Sequence, residues 1–158
     1  MARLFSSRKL QLMLNYEHVN PTRSSRSWGR YVLDTYGGNC LVTGESHKVT
    51  ECEIHHLFSN HLLETNGVSS WDAKKLKLSL LNGVVLTKDL HKRFHHEYGT
   101  KVTPLMFISF LNTLERENSD LDKQRIQEVK AWVLCLYREV TFLYPVVRTL
   151  KLNKGGNV

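Results

Sequence analysis

Apolar residues recur at helical spacing in the C-terminal part of the chain and predict two helices there. Residues 105–114 carry the first pattern, which follows a threonine at the cap position and a proline in the first turn. Residues 126–140 carry the second, for which Ser119 or Asp120 is the predicted start and Pro145 the predicted end or kink. The last third of the chain is therefore expected to be mainly helical.

Short apolar runs bounded by turn residues predict strands earlier in the chain. Residues 39–42 and 49–57 are predicted to pair as a hairpin, because a turn sequence separates them. Residues 84–86 predict a further short strand directly after the turn signal Asn82-Gly83. Three short strands are thus expected, two of them neighbours along the chain.

Helices and an insertion surround these strands. Residues 28–36 predict a short helix that ends at a pair of glycines. Residues 88–98 predict another, with Thr87 as its N-cap and Gly99 just past its end. Residues 58–81 form a long, polar, partly helical insertion. The order helix, strand, strand, insertion, strand and three helices indicates an α+β fold.

Charge is distributed unevenly along the 158 residues, which carry a formal net charge of +7. Residues 1–30 hold six basic residues and one acidic residue, a net of +5, and residues 71–101 hold seven and three, a net of +4. Residues 31–70 hold one and five, a net of −4. The basic segments suit a polyanionic partner such as DNA, and the acidic one suits a site that holds a cation. Ordinary solvated charges are the alternative.

Composition narrows the class of protein further. No apolar run approaches the roughly 18 residues of a membrane span, so no membrane association is expected. Three cysteines without a CxxC pair indicate neither a disulfide framework nor a zinc ribbon, which favours a reducing, intracellular setting. Residues 1–16 lack acidic residues and are interpreted as a basic arm, with an organellar targeting segment as the alternative.

One set of residues has the composition of a catalytic metal site. It consists of His55, His56, Asn82, His91 and His95. His91 and His95 are four apart in a predicted helix, so their imidazoles share a face and can bind one ion. His55 and His56 are neighbours, so both can serve one site only where the strand ends or bends, and the predicted strand ends at residue 57. Solvated or packed histidines are the ordinary alternative for each pair taken alone.

In order and spacing, this set resembles the HNH (His-Me finger) nucleases, which fold a ββα-metal unit around one divalent cation and cut nucleic acid. The resemblance runs from Cys40 to Gly99. Four segments look like the version found in intron-encoded and phage homing endonucleases: residues 40–44 (CLVTG), 53–57 (EIHHL), 82–86 (NGVVL) and 94–99 (FHHEYG). The expected fold is therefore a ββα-metal core with a basic N-terminal arm and C-terminal helices.

The resemblance implies a role for each residue of the set. His55 and His95 are implied as metal ligands, and His91 as a ligand or a phosphate contact. His56 is implied as the general base that activates water, and Asn82 as the catalytic residue that orients this base. One divalent metal ion, Mg, Mn or Zn, is the implied cofactor.

Basic residues near this set are predicted to contact nucleic acid, although each could be an ordinary surface charge. They are Lys92 and Arg93 beside the proposed ligands and Lys74, Lys75 and Lys77 in the insertion. Glu53 is a predicted partner of a histidine ligand. The three tryptophans are expected to be core residues.

Two features depart from the family pattern. The insertion between His56 and Asn82 is long for the compact core, and the CxxC pairs of zinc-stabilised relatives are missing. A structural zinc site is an alternative arrangement of the same segment, and its ligands would be Cys40, Cys52, His91 and His95.

Together these observations predict a basic arm at 1–27, an HNH core at 28–101 with its insertion at 58–81, and a C-terminal helical segment at 102–158. The expected function is metal-dependent, site-specific cleavage of double-stranded DNA by a homing-type endonuclease, acting as a monomer or homodimer. The alternatives are a non-catalytic nucleic-acid-binding module, a maturase-like RNA partner, and a nuclease without site preference. An intracellular location is expected, and an organellar (chloroplast or mitochondrial) or phage-encoded origin stays open.

Overall fold

The structure is a computed structural model that describes residues 25–36, 38–45, 48, 51–65, 67–79 and 82–143. The predicted arm, apart from its last three residues, and the predicted helix end at Pro145 lie outside these ranges. The described elements are helices and strands in this order: α1 (Ser25–Tyr36), β1 (Cys52–His56), α2 (Asn60–Thr65), α3 (Ser70–Lys77), β2 (Gly83–Thr87), α4 (Lys88–Tyr98), α5 (Pro104–Glu117) and α6 (Lys123–Leu143).

The two described strands pair with each other across the insertion. β1 and β2 are antiparallel, and their register places His55 opposite Val84 and His56 opposite Gly83. The predicted pairing of β1 with residues 39–42 is therefore wrong. Those residues join a turn that Gly44 closes at φ +73°. Within the described ranges, their backbone hydrogen bond to the sheet is that of the Leu41 amide, which donates to the Val85 carbonyl oxygen at 2.8 Å. The four buried residues of β2 offer β1 a longer apolar partner.

The helix boundaries follow their capping residues. The Thr87 hydroxyl accepts from the third amide of α4, and Gly99 follows the helix at φ +76°, as predicted. The Thr103 hydroxyl caps α5 in the same way. The last helix begins at Lys123, later than predicted, because the Asp122 carboxylate accepts from the amides two and three residues ahead and supplies the cap.

The sheet lies between α1 on one face and α4 on the other. Apolar residues of the second face form a large core with α5 and α6, which includes Phe58, Phe94, Phe107 and Phe110. A smaller cluster on the first face contains Trp28, Val32, Cys52, Leu78 and Val85. Helices therefore cover both faces of a small antiparallel sheet, and the described chain has the predicted α+β character.

The insertion is partly helical, as expected, since it contains α2 and α3. Leu76 and Leu78 are buried and anchor it in the core. No helix in the described ranges is long and apolar enough to cross a membrane.

Candidate metal centre

Three imidazoles from two elements converge at one point beside the sheet. His55 projects from β1, and His91 and His95 project from the same face of α4. One ring nitrogen from each lies within 4.8 Å of the other two. The ring centroid of His55 is 5.4 Å from both partners, whose own centroids are 4.6 Å apart. The three rings, called the histidine triad below, can therefore direct nitrogens to a common centre.

The two helical members of the triad have their outer nitrogens engaged. Nδ1 of His91 contacts the Glu53 carboxylate, and Nδ1 of His95 donates to the Gly99 carbonyl oxygen at 2.7 Å. Carboxylate and carbonyl oxygens accept hydrogen bonds, so these partners assign the hydrogen to Nδ1 and leave Nε2 bare in the neutral rings. The two Nε2 atoms face each other at 3.0 Å. Two lone pairs at this separation need a proton or a cation between them.

His55 completes the triad in an apolar environment. The ring is fully buried, with the rings of Phe94 and Phe107 packed against it at centroid distances of 4.4 and 5.5 Å. Neither of its nitrogens has a hydrogen-bond partner among the described residues. Burial, and then the neighbouring triad histidines, hold the pKa of His55 well below its ordinary value. The ring is therefore neutral, and it carries a buried lone pair without a partner.

These residues fit a divalent metal ion. Neutral imidazole is a good ligand for borderline metals such as zinc, and less so for magnesium, which prefers oxygen. Three protein ligands leave coordination positions open, as catalytic sites require. The Glu53 and Gly99 contacts are the outer partners that orient metal-binding histidines. Among the described residues, the group that could hold a metal contains no cysteine. Cys52 lies in the cluster on the other sheet face, which disfavours the alternative zinc site.

His56 lies on the opposite face of the sheet from the triad. β1 ends at this residue, and its ring stacks on Trp28 with centroids 4.3 Å apart and planes 14° from parallel. Nε2 is buried without a hydrogen-bond partner in the described part of the chain. Burial, and then the charges of Lys77 and His91, lower the pKa of His56 to about 4. The ring is neutral at physiological pH, and the role of base stays a prediction.

Asn82 fixes the chain that directly follows His56. Its side-chain oxygen accepts from the Phe58 amide at 2.7 Å, and its side-chain nitrogen donates to the Phe58 carbonyl oxygen at 3.1 Å. Its own carbonyl oxygen accepts from the Leu57 amide at 2.9 Å. The side chain is fully buried and lies outside the triad. It can therefore orient His56 only through the backbone.

The predicted phosphate contacts differ in their surroundings. The guanidinium of Arg93 donates to Glu97 at 2.8 Å and to Glu117 at 2.6 Å, so a phosphate would have to replace a carboxylate there. Lys74 and Lys92 are exposed on α3 and α4, whereas the side chain of Lys75 lies outside the described part. Lys77 lies within electrostatic reach of His56, so a phosphate beside His56 would lie near its charge.

Sequence patterns predicted the grouping of His55, His91 and His95 better than the surroundings of His56. Glu53 precedes His55 by two positions on a strand, so both project from one face and Glu53 can reach His91. The contact between Trp28 and His56 joins residues far apart in sequence, and no local pattern predicts it. Trp28 is buried, as expected of a core residue.

Comparisons of the chain with protein-family models, with curated proteins and with solved structures find no match. The side chains of the site, and the resemblance of their order and spacing to the HNH pattern, are therefore the features that point to a function.

Proposed function

We propose that the protein is a metal-dependent DNA endonuclease of the HNH class. The observation that carries the proposal is the convergence of the histidine triad, in which His55 has unpartnered buried nitrogens and the helical pair directs its Nε2 atoms at each other. The chain order β1, β2 and α4, with α2 and α3 of the insertion between the two strands, supports a ββα-metal core, since the triad comes from its first strand and its helix. The predicted homing-type site specificity is part of this proposal.

The triad would hold one divalent cation, with zinc and manganese favoured over magnesium by the imidazole ligands. When bound, the cation polarises the scissile phosphate and stabilises charge on the leaving oxygen. Glu53 and Gly99 hold His91 and His95 in the orientation that presents Nε2. Phe94 and Phe107 restrict the ring of His55, so the ligands are positioned before the ion arrives.

His56 would accept a proton from the attacking water. Its ring lies at the end of β1, and it is neutral because burial lowers its pKa to about 4. A phosphate bound nearby would favour the imidazolium form of His56. The pKa of His56 would then be higher in the complex, which makes the imidazole a stronger base. Asn82 would hold the backbone after His56 in place, and Lys77 would contact the phosphate.

Double-stranded DNA is the proposed substrate, bound by a monomer or homodimer. Exposed lysines of α3 and α4 supply positive charge near the site, and the chain as a whole carries a net charge of +7. Binding by counterion release predicts an affinity that falls as salt rises.

Plasmid relaxation tests the activity. Wild-type protein should nick DNA with Mn²⁺, Zn²⁺ or Mg²⁺ and should stop nicking in EDTA. The variant His56→Ala should lose cleavage while it retains DNA binding.

Calorimetry should show that His95→Ala weakens metal binding. The matched control is His96→Ala, which removes an exposed neighbour that lies outside the triad and should leave metal affinity unchanged. Equal loss of binding and cutting in His56→Ala would contradict the base role.

One observation favours the alternative of a non-catalytic nucleic-acid-binding module. His56 lies across the sheet from the triad, and an imidazole with a pKa of about 4 is a weak base. A protein of this kind would bind metal and DNA, but it would cleave neither plasmid nor host DNA with any of the metals tested.

A further inference from the structure

Trp28 is the aromatic residue that holds the ring of His56. Its indole, 4% exposed, lies nearly parallel to the imidazole at 4.3 Å. Its Nε1–H donates to the Ser79 carbonyl oxygen at 2.8 Å. Ser79 follows the C-terminal end of α3, which carries Lys77. The indole therefore connects His56 at the end of β1 to the segment that brings a cation near it.

Gly83 leaves room for this arrangement. It is the partner of His56 in the strand register, so it lies directly beside the stacked rings. A Cβ at this position would lie 2.7 Å from Cζ2 of Trp28 and 3.0 Å from Cγ2 of Val32. Gly83 is not among the glycines with positive φ, so space and not backbone conformation requires glycine here. Because Gly83 has no side chain, the indole can pack against the sheet at this position.

We propose that Trp28 is a positioning residue for His56, with Gly83 as the position that makes its placement possible. The inference rests on the proposed function, in which His56 is the base. A stacked ring restricts rotation of the imidazole, and the bond to Ser79 fixes the indole in turn. Helix α1, which lies before the predicted strands, thereby contributes to the site from the face opposite the triad.

If Trp28 only filled space in the core, other apolar residues could replace it at position 28. Leucine would fill apolar space beside Val32, but it would neither stack on the imidazole nor donate to Ser79. Phenylalanine would keep the stacking and lose the hydrogen bond. The pair Trp28→Leu and Trp28→Phe therefore separates packing from positioning.

The test compares both variants with wild type in three measurements: kcat and KM of plasmid nicking, metal affinity by calorimetry, and the NMR signals of the His56 ring. Trp28→Leu should lower kcat by about 10- to 100-fold and leave KM and metal affinity unchanged, because the triad lies on the other sheet face. Trp28→Phe should retain most of kcat. The His56 ring protons should move downfield in Trp28→Leu, since the shielding ring current of the indole is lost.

The matched control is Trp132→Phe, which alters a buried tryptophan in α6 and should change none of these quantities. If Trp28→Leu does not fold, Gly83→Ala displaces the indole instead and should give the same fall in kcat. Wild-type kcat in a folded Trp28→Leu or Gly83→Ala variant would overturn the positioning role alone. No nicking by wild type with any metal would overturn the proposed function, and the positioning role with it.

Discussion

At the scale of the residue, the stability of the fold depends on whether the buried imidazole nitrogens of the site have partners for their lone pairs. His55 places two nitrogens in an apolar environment without a partner among the described residues. This feature destabilises the fold in the absence of metal, because an unsatisfied buried polar group costs about 1–3 kcal/mol. We expect a bound metal to remove this cost and so to stabilise the fold.

His55→Phe tests this coupling. The ring of phenylalanine suits the contacts with Phe94 and Phe107 and has no nitrogen to leave unpaired. We expect the variant to be more stable than wild type by about 1–2 kcal/mol in EDTA, measured by urea unfolding. It should also lose the rise in melting temperature that we expect zinc to give the wild type. A variant less stable than wild type in EDTA would show that the His55 nitrogens have partners.

At the scale of the element, short segments hold the site together. The Thr87 cap starts α4 directly after β2, so the strand and the helix that carries two triad members have no linker between them. The C-terminal end of the same helix supplies the carbonyl of Gly99 to His95. Asn82 performs a similar task at the other strand, where it ties the residues after β1 to the start of β2.

Asn82→Ala should therefore destabilise the fold. The amide and carbonyl of Phe58 would lose their partners in a buried location, which predicts a loss of about 2–5 kcal/mol in unfolding free energy by urea denaturation. Asn112→Ala, at an exposed position of α5, is the matched control and should change little. A small effect of Asn82→Ala would mean that water replaces both bonds.

At the scale of the whole molecule, the sheet separates two histidine environments. His55 faces the large core with α4 and α5, and His56 faces α1 and the smaller cluster. Both are held neutral, mainly by burial, with pKa values below the ordinary 6.5. In mild acid, the folded protein therefore keeps a neutral histidine on each face of the sheet.

This arrangement predicts that the metal-free protein loses stability in mild acid. Because folding lowers the pKa of His56 from 6.5 to about 4, the unfolded chain binds more protons between these values. The stabilisation is complete above pH 6.5 and is lost as pH falls toward 4, by up to about 3 kcal/mol for His56 alone. His56→Gln should flatten this part of the profile, measured by urea unfolding in EDTA across the range. An unchanged slope in the variant would contradict the pKa shift.

Local patterns in the sequence determined much of the fold and of the triad. The spacing of His91 and His95, the threonine cap before them and the glycine after them lie within thirteen consecutive residues, from Thr87 to Gly99. Such signals act through hydrogen bonds between near neighbours, so they can be recognised without knowledge of the rest of the chain. The α+β character and the helix after Pro104 follow in the same way.

Only the tertiary structure decided which strands pair and what surrounds each histidine. Residues 39–42 are closer to β1 along the chain, yet β2 pairs with it because four consecutive buried residues contribute more apolar contact than the turn at Gly44 allows. That pairing sends His55 and His56 to opposite faces and brings Trp28 onto the second. These outcomes depend on competition among distant segments for the same buried surface. A short stretch of sequence therefore cannot predict them.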